Sequence, residues 1–233
     1  MSTDQKFLLI RNYDLFSHIT DEEYEELNLD HHFIEAPKGE YIYFDSQFHN
    51  KLYFLKGGTI KIGYIDEEGK EVVKEIIREG EVFGQFTLER DNLNGEFAQA
   101  YKGDVSLCAF NIEDFEKLLK SKPNIGFHFT KQVGQKLRKF ESRLLNLLNK
   151  DVKTRLVNFL VMLAREEGET TDGEKFEIHN FLTHEDIAQL IGSSRQTVTT
   201  MLNELETAGF ITVTRQLINI HSVKNLQKSL AVG

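Results

Sequence analysis

Apolar and polar residues alternate in short runs along the first half of the chain. The runs Tyr41–Phe44, Lys51–Leu55 and Thr59–Ile65 are rich in aromatic and β-branched residues, which favour strands. Glycine-containing turns such as Lys56–Gly58 and Asp66–Gly69 separate the runs at short intervals. Short strands joined in this way predict a compact antiparallel barrel or sandwich.

The apolar spacing changes to a helical period on both sides of the predicted strands. A short acidic helix is expected over Phe16–Leu29, another over Asn111–Leu119, and a much longer helix begins at Pro123. Apolar residues of the long helix recur every three or four positions, which approaches the heptad pattern of a parallel dimer. The residues expected at this dimer seam are Phe129, Val133, Leu137, Phe140, Leu144 and Leu147. A helix packed only on its own domain is the alternative.

A third pattern occupies Thr183–Ile211 and consists of two short helices around a tight corner. Thr183 is a good N-cap residue, and Gly192 can adopt the left-handed conformation that ends a helix. Small Ala188 lets the two helices approach each other closely. The expected buried stripe of the second helix is Val198, Met201, Leu202 and Leu205. This arrangement predicts a helix-turn-helix, and an ordinary helical hairpin is the alternative.

Further elements surround the predicted helix-turn-helix. The β-rich runs Phe210–Arg215 and Leu217–Ile220 follow it and predict the hairpin of a winged helix. Before it, Asp151–Ala164 has the spacing of an amphipathic helix and Phe176–Ile178 that of a short strand. We therefore expect the C-terminal domain to begin near Lys150.

Charge is distributed unevenly along the chain. The net charge is −9, which is not that of a strongly basic nucleic-acid binder. Residues 1–122 carry 14 basic and 25 acidic groups, whereas residues 123–150 carry 6 basic groups and 1 acidic group. Acidic residues are thus concentrated away from the predicted helix-turn-helix. Phosphate contacts should rely on a few residues, hydroxyl groups and backbone amides.

The composition otherwise indicates a globular protein whose 233 residues can form two modest domains. No apolar run of about 18 residues and no signal-peptide pattern occur, so we expect no membrane-spanning helix and a cytoplasmic location. The single cysteine, Cys108, excludes an internal disulfide and a cysteine-ligated iron–sulfur cluster within one chain. Its alternating surroundings predict a core thiol.

Residues Gly192–Val198 read Gly-Ser-Ser-Arg-Gln-Thr-Val. This stretch resembles the Gly-x-Ser-Arg-Glu-Thr-Val signature of the cyclic-AMP receptor and fumarate-nitrate regulator (Crp/Fnr) family of bacterial transcription factors. Pro37–Glu40 and Leu52–Gly58 likewise resemble the β-roll of cyclic-nucleotide-binding domains. The resemblance implies an α+β protein with an N-terminal antiparallel β-roll, a long dimerisation helix and a C-terminal winged helix-turn-helix. The expected domains are residues 1–122, 123–150 and 151–233.

The family resemblance also implies a homodimer that binds double-stranded, two-fold-symmetric DNA, with RNA polymerase as a partner and no catalysis. In the family, the arginine at the place of Arg195 reads a guanine, to whose O6 and N7 a guanidinium can donate two hydrogen bonds. Gln196 stands where the family commonly has glutamate, and its amide matches adenine better than cytosine. Thr200 replaces a second base-contacting arginine of the cyclic-AMP receptor. We therefore expect a half-site different from the family's best-known one.

Two sets of residues are expected at the DNA. Those expected at base edges are Arg195, Gln196, Thr199 and Thr200. Those expected at phosphates are Thr183, Ser193, Ser194, Thr197 and Arg215. Ser193 also lies at capping-box spacing from Gln196, so a capping role is the structural alternative for Gln196.

The resemblance further implies a ligand site in the β-roll. Cyclic-nucleotide receptors carry Gly-Glu and a later Arg-Ser or Arg-Thr, in which arginine neutralises the cyclic phosphate. This chain has no arginine at the second position, where Glu96 would repel phosphate, and it has Phe140-Glu141 where the cyclic-AMP receptor has Thr-Ser. Cyclic AMP is therefore not the expected effector. The expected pocket residues are Phe83, Gly84, Gln85, Glu96, Phe97 and Phe140.

Haem stays open as a cofactor because some family members bind it. Histidines that qualify only by residue type are His18, His31, His32, His49 and His128. No His-x-His pattern with a downstream carboxylate is present, and we expect no metal site.

Two other classes of protein stay open: a cupin-like small-molecule-binding enzyme with a helix-turn-helix, and a winged helix used for protein contact. Against the enzyme, no nucleophile–base pair, metal-ligand spacing or Walker loop is visible in the sequence.

Overall fold

The computed structural model describes residues 20, 31–44, 50–84, 95–170, 172–179, 182–214 and 216–231. The short helix expected over Phe16–Leu29 lies outside these residues. The chain divides into two compact units, Met1–Leu137 and Arg138–Gly233. This division falls inside the long helix, at neither of the domain boundaries expected from the sequence. Those boundaries stay a prediction.

The first unit contains two four-stranded antiparallel sheets. Its strands are β1 His31–Ala36, β2 Tyr41–Phe44, β3 Lys51–Gly57, β4 Thr59–Ile65, β5 Glu71–Arg78, β6 Val82–Gly84, β7 Glu96–Ala100 and β8 Val105–Asn111. One sheet has the order β1-β8-β3-β6 and the other β2-β7-β4-β5. The three strands expected from alternation are all present, and the antiparallel β-roll is confirmed.

The alternation along β3 supplies side chains to two separate cores. Tyr53 and Leu55 pack between the two sheets with residues of β2, β4, β5 and β7. Leu52 and Phe54 point to the opposite face and pack with residues of β8 and of the following helix. Cys108 belongs to that second core, where burial raises the pKa of its thiol to about 11. The expected core thiol is thus confirmed.

Two helices follow the β-roll, α1 (Ile112–Ser121) and α2 (Pro123–Asn149). The first turns of α2 pack on the core that α1 covers, and the rings of Phe115 and Phe129 meet with centroids 4.9 Å apart. Lys136 Nζ, further along α2, lies 2.9 Å from Glu75 Oε1 and 3.3 Å from the carbonyl oxygen of Val82. Phe129, which the spacing assigned to the dimer seam, therefore serves the core of its own domain.

The second unit contains a helix-turn-helix and a small sheet. Its elements are α3 Val152–Glu167, β9 Phe176–His179, α4 His184–Ile191, α5 Arg195–Thr207, β10 Ile211–Val213, β11 Leu217–Ile220, α6 Val223–Lys228 and a 3-10 turn Ser229–Ala231. The sheet has the antiparallel order β10-β11-β9. The winged helix expected from the sequence is confirmed, whereas α6 was not predicted.

Among the described residues, no helix has both the length and the apolar character that crossing a membrane requires.

Candidate nucleic-acid interface

Helix α4 begins at a reciprocal cap. The Thr183 backbone N–H and side-chain hydroxyl both donate to Asp186 Oδ2, at 2.7 and 2.6 Å, and the Asp186 N–H donates back to Thr183 Oγ1 at 3.1 Å. Such a box satisfies N–H groups that a helix start leaves without partners. Both donors of Thr183 are therefore in use. A phosphate contact by Thr183, as expected from its position, would require this box to open.

The corner between α4 and α5 depends on Gly192. Its backbone is left-handed, with φ 66° and ψ 53°, and its N–H donates to carbonyl oxygens in the last turn of α4. A Cβ on this residue would lie 2.6 Å from Leu147 Cδ2. Glycine is thus favoured here by its left-handed conformation, whereas the end of the Leu147 side chain, which is 37% exposed, can move away from an added Cβ. The spacing assigned Leu147 to the dimer seam. In the structure, its side chain lies against the Gly192 turn of the helix-turn-helix in the same chain.

Two arginines hold the C-terminal end of α4, and the sequence analysis missed both. Arg155 donates from Nη2 to the Gly192 carbonyl at 2.9 Å and from Nη1 to the Lys150 carbonyl at 3.1 Å. Arg143 Nη2 lies 3.4 Å from the Gln189 carbonyl. Guanidinium groups stabilise helix C-termini because the last carbonyls lack intrahelical partners and carry partial negative charge.

Helix α5 begins at Ser194. The Ser194 hydroxyl oxygen accepts from the Thr197 N–H at 3.1 Å and lies 2.8 Å from Thr197 Oγ1. One of the two hydroxyl protons bridges this pair, which leaves the other for an acceptor such as a phosphate oxygen. The possible box between Ser193 and Gln196 is not formed, because Ser194 occupies the N-cap position and bonds Thr197.

The predicted reading positions form one polar edge of α5. Arg195, Gln196 and Thr200 are exposed, whereas the apolar side chains on the opposite face are buried: Val198, Leu202 and Leu205. Thr199 differs, because its hydroxyl lies 2.9 Å from the Arg195 carbonyl and 2.8 Å from His184 Nδ1. The hydroxyl proton and one lone pair of Thr199 are thus used within the protein, which leaves its methyl group and one lone pair for contact with a base. Arg215, expected at a phosphate, lies outside the described residues.

Phe83 and Phe97, expected in an effector pocket, are completely buried in the β-roll. The ring of Phe83 stacks on Tyr53 with centroids 5.0 Å apart, and the ring of Phe97 meets that of Tyr41 edge-on at 5.6 Å. In this structure the two rings fill the interior of the sheet pair, and their assignment to an effector pocket stays a prediction. Gly84, with φ 98°, lies too close to Lys51 and Tyr53 for a side chain. Gln85 is outside the described residues.

Glu96 is held by partners from the β-roll itself. Its carboxylate accepts from Tyr43 Oη at 2.9 Å and from Lys74 Nζ at 2.6 Å, and its side chain is 11% exposed. Burial, followed by the nearby Glu96 charge, raises the pKa of Tyr43 well above its usual range, so Tyr43 remains a neutral donor. The negative charge expected at this position is thus present and paired. Within the described ranges, no cluster of three or more metal-ligating side chains occurs.

The second half of α2 exposes an apolar face. Leu137, Leu144 and Leu148 are 65%, 55% and 70% exposed and follow one another at heptad-compatible intervals. Leu145 and Phe140 border them with 56% and 37% exposure. Leu147, which also contacts Gly192, is 37% exposed as well. The sequence analysis identified Leu137, Phe140, Leu144 and Leu147 but missed Leu145 and Leu148. Val133, also expected at the seam, is half-buried.

Comparison with known proteins assigns the two units to one family. Residues 33–122 match the cyclic nucleotide-binding domain, and residues 154–229 match the Crp-like helix-turn-helix domain. The global nitrogen regulator of Synechocystis sp. is 31% identical over 183 residues, which cover 78% of this chain and 80% of that protein. The chain belongs to the Crp/Fnr family of transcription regulators.

Other Crp/Fnr relatives agree with this assignment. The cAMP-activated global transcriptional regulator CRP of Pasteurella multocida is 27% identical over 74% of this chain and 82% of its own length. The structure of a CooA mutant from Carboxydothermus hydrogenoformans has the same fold, with a TM-score of 0.76, 22% identity and coverage of 96% of this chain and 98% of that one. The predicted family, the α+β fold and DNA binding through the helix-turn-helix are confirmed. Proteins of this family are regulators and not enzymes, as expected.

Replacing Gly192 by alanine tests the corner of the helix-turn-helix. We expect Gly192→Ala to destabilise α4 and α5 by about 1–2 kcal/mol, chiefly through left-handed strain, with a smaller part from displacing the flexible side chain of Leu147. The measurement is amide hydrogen exchange of both helices. Gly173→Ala is the matched control, since Gly173 has φ 72° but open space around a Cβ.

A double-mutant cycle separates the steric effect of Leu147 from the backbone strain at Gly192. In a Leu147→Ala background, the cost of Gly192→Ala should fall to that of the control. An unchanged cost in that background would show that Leu147 does not limit this position.

Proposed function

We propose that this protein is a sequence-specific transcription regulator that binds a two-fold-symmetric operator as a homodimer. The observation that carries the proposal is the exposed polar edge of Arg195, Gln196 and Thr200 on a helix whose opposite face is buried. An α-helix of this kind fits the major groove, where each base pair presents a distinct pattern of donors and acceptors. Membership in the Crp/Fnr family supports the same role.

Recognition is divided between base edges and phosphates. Arg195 donates two hydrogen bonds to a guanine, and Gln196 exchanges two with an adenine. Thr200 and the Thr199 methyl group provide further contact at the base edges. The phosphate contacts come from the serine and threonine hydroxyls at the start of α5 and from the wing, through Ser193, Ser194, Thr197 and Arg215. Because the chain is acidic overall, we expect affinity to depend strongly on this small set and to fall steeply with salt.

Substitution of the two polar readers tests sequence-specific binding. Selection from randomised duplex DNA should give a two-fold-symmetric consensus for the wild-type protein. We expect Arg195→Ala and Gln196→Ala each to relax preference at one base pair per half-site by about 5- to 150-fold, since a bidentate contact contributes about 1–3 kcal/mol of discrimination.

The control for this selection is Gln227→Ala, an exposed substitution on α6, outside the helix-turn-helix. It should leave the consensus unchanged. If base preference is unaltered in both reader variants, α5 is not the reading element.

The homodimer is proposed from the leucine face of α2. Leu137, Leu144 and Leu148 leave a large apolar surface exposed on a single chain. A second copy in parallel orientation would bury this surface against the same residues and present two readers together. RNA polymerase is the further partner that the family implies.

Dimerisation is tested by shortening two of these leucines. We expect the Leu144→Ala, Leu148→Ala double variant to raise the dimer dissociation constant by about 100-fold or more, because each subunit loses two buried side chains. Sedimentation equilibrium measures this constant. Met162→Ala is the matched control, since Met162 is 38% exposed on α3 and outside the leucine face. A monomeric wild-type protein, or an unchanged constant in the double variant, would contradict the proposal.

The β-roll is proposed to act as an effector domain that does not respond to cyclic AMP. The support is Glu96, which bears a negative charge where cyclic-AMP receptors bind the cyclic phosphate and which is held by Tyr43 and Lys74. Displacing these partners to admit a phosphate would leave a buried carboxylate beside a second anion. A regulator of the same architecture that responds to a cyclic nucleotide or to haem is the alternative.

Isothermal titration calorimetry tests the effector proposal. We expect cyclic AMP and cyclic GMP to give no saturable heat at micromolar concentrations, because Glu96 repels their phosphate. The selected operator DNA, titrated into the same preparation, is the positive control for active protein. Saturable micromolar binding of either nucleotide would overturn the proposal. A haem absorption band in the purified protein would favour the haem-responsive alternative.

A further inference from the structure

We infer that His184 is a positioning residue for the base-reading end of α5, acting through Thr199 on the backbone of Arg195. This inference rests on the proposed function, since it assigns how one reading side chain is held. The three residues form a continuous chain of hydrogen bonds. His184 Nδ1 lies 2.8 Å from Thr199 Oγ1, which in turn lies 2.9 Å from the Arg195 carbonyl oxygen.

The direction of these bonds follows from the number of protons available. A carbonyl oxygen can only accept, so the Thr199 hydroxyl donates its single proton to Arg195. The contact with His184 must then use a proton on the imidazole. We therefore assign a proton to His184 Nδ1, since the other neutral tautomer would need a second proton on the Thr199 hydroxyl. In the neutral ring, this leaves the lone pair on Nε2.

The bond from His184 adds a constraint that α5 does not possess alone. A threonine hydroxyl commonly bonds the carbonyl four residues earlier, and this local bond moves with its helix. The His184 bond instead joins the first residue of α4 to the side of α5. Since Thr183, immediately before His184, forms the capping box of α4, the chain runs from a fixed helix start to the backbone of Arg195.

This position matters because bidentate recognition is sensitive to geometry. The guanidinium of Arg195 must present two N–H groups to guanine O6 and N7 at once, so a small shift of its backbone weakens both bonds. The same bonds occupy the Thr199 hydroxyl. His184 and Thr199 therefore contribute to discrimination at the base pair that Arg195 reads, without a polar contact of their own to that base pair.

The positioning role is distinguishable from a direct phosphate contact. Loss of a phosphate contact weakens binding about equally on all DNA sequences and reduces the dependence on salt. Loss of positioning lowers the ratio of affinities for the selected operator and for an operator substituted at the Arg195 base pair. The salt dependence then stays as in the wild-type protein.

The proton arrangement is tested by ¹⁵N NMR of the full chain with labelled histidine. The His184 signals are assigned by their absence from His184→Asn. We expect the neutral ring to show a protonated Nδ1 and an unprotonated Nε2. A neutral His184 with its proton on Nε2 would overturn the inference.

The positioning effect is tested with three variants and the two operators described above. His184→Leu and Thr199→Val remove the donor and the hydroxyl with little change in volume. We expect each to lower the affinity ratio by about 3- to 10-fold, the effect of one lost hydrogen bond. His184→Asn keeps an N–H close to the place of Nδ1 and should stay within about 2-fold of the wild-type ratio. His179→Leu, at an exposed histidine of β9, is the control and should not change the ratio.

The outcomes separate the inference from the proposed function. Specific binding by the wild-type protein with unchanged ratios in His184→Leu and Thr199→Val overturns the inference alone. An equal loss of affinity for both operators, with a smaller salt dependence, also overturns it and indicates a phosphate contact. Absence of specific binding by the wild-type protein rejects the proposed function, and the inference with it.

Discussion

The left-handed turn at Gly192 is the constraint on which the helix-turn-helix depends. A left-handed residue ends α4, and the absence of a side chain lets Leu147 approach the turn. Arg155 and Arg143 then bond carbonyls at the same corner. These contacts all converge on the residues that join α4 to α5. A polar edge with the correct residues could not read DNA reproducibly without this support.

Helix α2 serves different purposes along its length. Its first turns complete the core of the β-roll through Ile125 and Phe129, and Lys136 joins it to Glu75. Its last turns support the reader through Leu147. Between and beside these contacts lie the exposed leucines that we assign to the dimer. The same helix is thus part of each compact unit, which explains why the division between the units falls inside it.

Features that depend on neighbouring residues were predictable from the sequence, whereas those that depend on distant partners were not. The Thr183 cap and the Gly192 corner were predicted because their geometry is determined within a few residues. The contacts of Phe129 with the β-roll core and of Leu147 with Gly192 were not predicted, because helical spacing identifies apolar residues but not the surface they meet. Their place in a dimer seam stays a prediction. The complete burial of Phe83 and Phe97 was missed for a similar reason, since a motif position does not reveal burial.

Hydrogen bonds between elements were the least accessible to sequence reasoning. The helical position of Thr199 predicted a base contact, but its hydroxyl is hydrogen-bonded to His184, which lies 15 residues earlier in the sequence. The roles of Arg143 and Arg155 depend equally on carbonyl groups far along the chain. In this protein, the sequence therefore predicted which edge of α5 is polar. The structure was needed to show which of its groups are free to meet DNA.

The central claim is that two paired readers occupy successive major grooves of one operator. Hydroxyl-radical footprinting of the selected operator tests it most directly. The account predicts two equivalent protected regions related by a two-fold axis, with centres about 10–10.5 base pairs apart. A single protected half-site at saturating protein would contradict it.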